Sequence, residues 1–373
     1  MILYDPALTM NFQDYGIMLP IAPDRAGRVV EFLEGGDGGA FSGFPGPVLD
    51  IPGARGLPAM KGLGGCPGLD RRDLERVHQG EFITGLYGAG LLGALLNAYE
   101  LIDSQGRPHR YEPDRAVKPL TGLFETILNQ VGGTYLACRL AIGRPDPAGA
   151  PGFCYYLGGG MHHARYDSGA GFCLVNDIVI AARKLHAEGL ARLIWVVDVD
   201  AHKGCGTAEL VSFSRARGEL GLESGKDRGE ILTLSVQMAA GWPLDEETLR
   251  GALPGRAPLL PSDVEIPLAA GDEAAYIPEL EQGLDKLEKL SGGQKPDLAI
   301  VVDGADPYEH DGLPSSALLK LTLDQCVARD WSIYTFLRAR SIPSAWIMAG
   351  GYGDRAWEPA AFFLRSLKEG EEI

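Results

Sequence analysis

Long hydrophobic runs are missing from this 373-residue chain. No apolar stretch approaches the ~20 residues that a bilayer-crossing helix needs, so no membrane span is expected. Clusters of lysine and arginine are missing too. Acidic residues outnumber basic ones 50 to 34, for a formal charge of −16, and a nucleic-acid partner would call for a basic face that is not here. Paired cysteine spacings are absent. The six cysteines (66, 138, 154, 173, 205 and 326) lie scattered, and a chain of this length needs no disulfides, so reduced thiols in the cytoplasm are expected. The N-terminus, MILYDPALTMNFQDYG, has neither the basic start nor the long apolar core of a secretion signal. What remains is ordinary globular composition, 45% hydrophobic and 23% charged. An acidic surface suits solubility and attracts a cationic partner such as a lysine tail or a polyamine.

Short apolar runs alternate with helical patterns. Strands are expected at Leu3-Tyr4, Phe153 to Leu157, Leu193 to Asp200, Ile231 to Val236, Leu298 to Val302 and Ala345 to Met348. Helices are expected from Pro23-Asp24-Arg25 onward, at Leu74 to Phe82, at Gly90 to Ile102 (apolar on most sides and so buried), and at Leu120 to Ile142. Others follow at Asn176 to Glu188, Thr322 to Arg338 and Pro359 to Lys368. Residues 35–68 are rich in Gly and Pro and read as a long loop with a few extended pieces. Residues 214–229 read as a charged surface insertion. Alternation of this kind predicts one domain over 1–373, a three-layer α/β/α sandwich around a central, mostly parallel sheet.

Chemistry concentrates after the Leu193 strand, in Asp198-Val-Asp200-Ala-His202. Asp200 and His202 are two apart, so an extended segment points both to one face. A carboxylate oxygen and an imidazole nitrogen suit zinc, with iron, manganese and cobalt as alternatives. Asp198 shares the parity and is a ligand or a partner of one. Other strand ends carry His162-His163, Ser235, Asp306 and Tyr352, and parallel order brings all of them to one edge of the sheet. Asp200, His202 and Asp306 supply the three protein ligands of a catalytic zinc. The tandem histidines can serve as base and acid, and a tyrosine hydroxyl can polarise a carbonyl.

The motifs GGGMHHA (158–164), SGAGFCLVND (168–177), DVDAHKGCGT (198–207), GADPYEHDGL (304–313) and AGGYGD (349–354) together resemble the zinc-dependent histone deacetylase family, of arginase/deacetylase fold. The likeness in order and spacing covers about 120–352. NQVGGT (129–134), GGG and DVDAHKG resemble class IV and bacterial members most. The resemblance implies one catalytic zinc on Asp200, His202 and Asp306, and His162 and His163 as the catalytic pair, with His163 the proton carrier. It further implies Asp198 orienting His162 and Tyr352 hydrogen-bonding the substrate carbonyl. A structural potassium would be lined by Asp198, Asp200, His202, Ser235 and Val236. Gly171, Phe172, Met161 and Trp242 would line a substrate tunnel, and Arg25 would stand at an acetate exit.

Two positions depart from that pattern. Many members carry an acid at position 205, behind the second histidine, and this chain has Cys205. Lys203 stands where many have histidine. An arginase-like binuclear site is disfavoured, because His202 is followed by Lys203-Gly204 and the Asp-x-His-x-Asp it requires is incomplete. The expected activity is removal of an acyl group, acetyl or longer, from a lysine side chain of a protein or peptide. Alternatives are an acetylpolyamine or other small-molecule deacetylase, and a catalytically weak acyl-lysine-binding homologue.

Overall fold

The computed structural model describes residues 1–6, 9–35, 48–50, 69–103, 105–143, 149–219, 229–245 and 259–370. Eight strands form one sheet: β1 (Ile2–Tyr4), β2 (Val48–Asp50), β3 (Phe153–Tyr156), β4 (Leu193–Asp198), β5 (Glu230–Met238), β6 (Val264–Leu268), β7 (Leu298–Asp303) and β8 (Ser344–Met348). Their order is β2-β1-β3-β8-β7-β4-β5-β6, and every pairing is parallel. The expected three-layer sandwich is therefore present, with the sheet wholly parallel.

Ten α-helices cover it: α1 (Arg25–Glu34), α2 (Arg71–Glu75), α3 (Gly80–Leu86), α4 (Leu91–Ala98), α5 (Leu123–Gly143), α6 (Asp177–Glu188), α7 (Cys205–Glu219), α8 (Tyr276–Leu290), α9 (Leu323–Ala339) and α10 (Glu358–Glu369), counted among the described residues. Two apolar cores follow from strand alternation. In β4, Ile194 and Val196 join Ile127, Val131, Ile178 and Leu185 of α5 and α6 on one face. Leu193, Trp195 and Val197 join Leu280, Leu284, Val327 and Phe363 of α8, α9 and α10 on the other. Such a strand, buried on both faces, reads as a continuous apolar run rather than an alternating one.

Local signals explain several boundaries. Asn176 caps α6, its side chain accepting from the Val179 amide, and Gly189 ends the helix in a left-handed conformation (φ +70°). Thr322 and Gln325 form a reciprocal capping box on α9. The paired glycines of α5 serve close packing rather than a break. Helix α5 runs unbroken through Gly132-Gly133, and a Cβ on Gly133 would overlap the Tyr156 ring of β3.

Three expectations are corrected. Leu74 to Phe82 is not one helix but α2 and α3, because the chain turns at 76–79 to place the buried His78. Helix α4 is not buried all round: Leu95 is fully covered, yet Leu92 is 47% exposed. The insertion expected at 214–229 starts later, since 214–219 continue α7; residues 220–228 lie outside the described residues, as does most of the Gly/Pro-rich 35–68. The extra strand β6 and helix α8 were unforeseen.

Candidate active site

Parallel strands deliver their carboxyl ends to one edge, and the loops leaving β3, β4, β7 and β8 meet there. Asp200, His202 and Asp306 arrive with ligand atoms within 4.8 Å of one another, all buried. His202 Nδ1 lies 2.8 Å from Asp306 Oδ2 and 3.3 Å from Asp200 Oδ1. The second oxygen of each carboxylate is occupied by backbone: the Ala201 amide donates to Asp306 Oδ1 at 2.8 Å, and the Gly350 amide to Asp200 Oδ2 at 3.0 Å. Burial opposes a proton on His202, but the two carboxylates outweigh it and push its pKa up to about 10. Two carboxylates and one imidazole buried together, with Asp200 and His202 at a cavity wall, are a donor set that fits a divalent ion such as zinc.

A single buried arginine ties the ligand-bearing turns together. Arg329 of α9, fully buried, donates to the carbonyls of Val199 (3.2 Å) and Gly304 (2.8 Å), next to Asp200 and two residues before Asp306. Its charge is balanced by Asp303 and Asp330, and the Tyr155 hydroxyl adds a hydrogen bond to Asp303 (2.5 Å).

The two histidines lie against each other with ring centroids 3.9 Å apart and planes tilted by 49°, but their surroundings differ. His162 Nδ1 donates to Asp198 Oδ2 at 2.7 Å. Burial works against a charge there, yet Asp198 and Asp200 raise the His162 pKa to about 9. His163 Nδ1 faces no carboxylate; the Cys205 sulfur lies 3.6 Å from it, and the Lys203 backbone also interacts with the ring. Burial, then the charges of His162 and His202, hold the His163 pKa well below the ordinary value. Cys205 itself is a thiol pushed up to about 11 by burial. The other departure, Lys203, turns away from the site and pairs with Glu265 on β6.

Two adjoining cavities, of about 120 and 110 Å³, share His163, Gly171, Phe172, His202 and Tyr352 as walls. Trp242 stands edge-on to His163 at 4.6 Å and to His202 at 5.7 Å, and Phe172 faces Tyr352 at 6.2 Å. Gly171 must be glycine: its φ is +54°, and a Cβ would press on the His163 ring and Trp242. Met161 and Arg25 line the inner cavity, where the Arg25 guanidinium donates to the carbonyls of Gly351 (3.0 Å) and Met348 (3.3 Å). The Tyr352 amide donates to Asp311 Oδ2 at 2.7 Å.

Ser235 lies beside Asp198 in the β4–β5 register, and its buried hydroxyl has no hydrogen-bond partner among the described residues; Val236 is buried next to it. Of the residues expected at the site, Arg25, Met161, His162, His163, Gly171, Phe172, Asp200, His202, Trp242 and Tyr352 line the two cavities, whereas Asp198, Cys205, Ser235, Val236 and Asp306 lie behind their walls. Glu100, Arg110, Leu313 and Ser315, which also line the outer cavity, were missed. Glu100 falls at the end of the helix expected over 90–102 and Leu313 closes the 304–313 motif, while Arg110 and Ser315 lie outside any expected element, and no short-range pattern brings the four together.

Comparison with known proteins agrees with this geometry. The histone deacetylase domain model matches residues 61–362. Histone deacetylase 2 of Arabidopsis thaliana is 28% identical over 223 residues, 60% of this chain and 48% of that protein. The acetylpolyamine amidohydrolase of Mycoplana ramosa is 28% identical over 200 residues, 52% of this chain and 49% of that protein. The chain thus aligns with about half the length of each. The crystal structure of the HDA15 HD domain shares the fold at a TM-score of 0.60 and 18% identity, covering 99% of this chain and 91% of that one. The chain belongs to the histone deacetylase family of hydrolases.

Proposed function

We propose that this protein hydrolyses the amide of an acylated lysine side chain in a peptide or protein, using one zinc ion held by Asp200, His202 and Asp306. The observation that carries this reading is a shared cavity wall: Asp200, His202, both tandem histidines and Tyr352 line one cavity, and Asp306 stands behind it with its ligand atom within 4.8 Å of those of Asp200 and His202. When bound, the ion would polarise the amide carbonyl and acidify water.

The remaining roles belong to the chain. His163, neutral and turned with Nδ1 toward Cys205, accepts the proton of the attacking water on the ring edge that faces the cavity. It returns that proton to the leaving amine. His162, held charged by Asp198, supplies a fixed positive charge beside the developing oxyanion, and the Tyr352 hydroxyl donates to it. Phe172, Trp242, Gly171 and Met161 enclose the acyl-lysine stem and exclude water, and Arg25 closes the inner cavity where the freed carboxylate would leave. The orphaned Ser235 hydroxyl beside Asp198 favours a structural potassium ion, completed by Asp198, Asp200, His202 and Val236. The five described cysteines are all free thiols, which suits the reducing cytoplasm. No described helix is long and apolar enough to cross a membrane.

A second reading, an acylpolyamine hydrolase, is favoured by the similarity to the Mycoplana ramosa enzyme. Amine release from acyl-lysine peptides and acetylpolyamines, by zinc-loaded wild type and Tyr352→Phe in parallel, tests both. Turnover of the peptides, lost in the variant, is the expected result. Stoichiometric zinc without turnover of any of these substrates would sink the enzymatic reading.

A further inference from the structure

Four non-glycine residues among those described have positive φ, and three of them meet at the mouth of the outer cavity: Glu100 (+54°), Arg110 (+52°) and Phe172 (+65°). Left-handed backbone costs a side-chain-bearing residue about 1–2 kcal/mol. Here it is locked. The Glu100 amide donates to Asn97 and its carbonyl faces His109 Nδ1 at 3.0 Å. The Met18 amide donates to the Arg110 carbonyl at 2.9 Å, and the Phe172 amide to the Ala98 carbonyl at 2.9 Å.

This strained frame holds a charge pair over an aromatic ring. Arg110 Nη1 donates to Glu100 Oε2 at 2.9 Å, and its guanidinium carbon lies 5.6 Å from the Phe172 ring centroid. Both side chains stay partly exposed, at 34% and 40%. Apart from the site histidines and Tyr352, they are the only ionisable residues lining the outer cavity among the described residues.

An acylated polyamine brings cationic amines to the mouth a few bonds beyond its amide, and capturing them there calls for a free carboxylate. Among the described residues, Glu100 is the only carboxylate lining that cavity, and Arg110 occupies it while adding a positive charge of its own. We infer that Arg110 is a specificity-determining residue that masks Glu100 and turns the site away from cationic acylamines toward acyl-lysine in a neutral or acidic peptide. This rests on the amide-hydrolase reading above. It also sets a local effect against the long-range pull of a chain with a formal charge of −16, which salt screens beyond about 8 Å.

The test compares kcat/KM for N-acetylspermidine with that for a neutral acetyl-lysine peptide. Wild type, Arg110→Gln, Arg110→Lys and Arg110→Gln/Glu100→Gln are assayed at low and high salt. Unmasking one carboxylate against one cation near the surface is worth about 1 kcal/mol, so Arg110→Gln raises the polyamine-to-peptide ratio about fivefold. The change falls on KM, shrinks in salt, is absent in Arg110→Lys and disappears in the double variant. A ratio within twofold of wild type in Arg110→Gln, or a rise that persists without Glu100, overturns the inference while leaving the hydrolase reading intact. Wild type inactive on both substrates overturns the two together.

Discussion

Replacing Cys205 with aspartate probes the position at which this site departs from the pattern that its motifs resemble. The two adjacent histidines provide the calibration. Both are buried, but only His162 has a carboxylate on Nδ1, at 2.7 Å, and its pKa is raised to about 9, whereas His163, facing the Cys205 sulfur at 3.6 Å, is held well below the ordinary value. A carboxylate at position 205 reaches about one bond further than the thiol and closes that gap to hydrogen-bonding distance. Arg165 and Lys203, whose charges already act on position 205, offset part of the cost of burying it. If half of the stabilisation seen at His162 is reproduced, the His163 pKa rises by at least one unit, about 1.4 kcal/mol. His163 must be neutral to accept a proton, so the acid limb of the kcat/KM profile moves to higher pH by at least one unit. The stronger base raises the plateau above that limb. The assay is a pH–rate profile of zinc-loaded wild type, Cys205→Asp and Cys205→Asn, the last carrying no charge and leaving the limb where it was. An acid limb unmoved in Cys205→Asp at equal zinc content would refute the role given to position 205.

Further tests address stability and metal binding. His78 bridges the Arg165 carbonyl (2.7 Å) and the Asn176 amide (3.0 Å) as a neutral ring, and burial lowers its pKa to about 4. Its contribution is full above pH 6.5, where the ring is neutral folded or unfolded. It is lost as pH falls from 6.5 to about 4, because the unfolded chain takes the proton first; the loss is about 3 kcal/mol, and urea melts of His78→Gln lack that portion of the pH dependence. Arg329→Met leaves Asp303 and Asp330 buried without their cation and lowers unfolding free energy by about 3–5 kcal/mol in denaturant titrations. Zinc at about 100 times its dissociation constant stabilises wild type by about 2.7 kcal/mol. Asp306→Asn removes a charged ligand and loses most of that gain, as read by the zinc-dependent shift in Tm.

The site was legible from sequence because its residues sit at the ends of short apolar runs. A parallel sheet turns that one-dimensional position into a shared edge, so His162, Asp200, His202, Asp306 and Tyr352 could be grouped before any contact was known. Helix α6 was legible for a local reason, Asn176 at its start and Gly189 at its end. Strand β6 was obscured by Pro267, which a central strand would not tolerate; β6 is an edge strand, where proline is allowed. Helix α8 had a readable stripe, Tyr276, Leu280, Leu284 and Leu287, that went unused. The Glu100–Arg110 rim and the Lys203–Glu265 pair were beyond reach, because each joins segments whose proximity depends on how the loops pack.

The backbone amides that grip the outer oxygens of Asp200 and Asp306 have a consequence for ion exchange. Those amides, Gly350 and Ala201, are fixed by β8 and β4, and Arg329 braces the neighbouring turns, so the donor cage takes its shape from the sheet. A cage ordered in advance loses little conformational freedom when an ion enters. Zinc, cobalt, manganese and ferrous iron therefore meet nearly the same donors in nearly the same places. Rates measured across a series of such substitutions would report the intrinsic acidity of each ion, with the protein serving as a constant background.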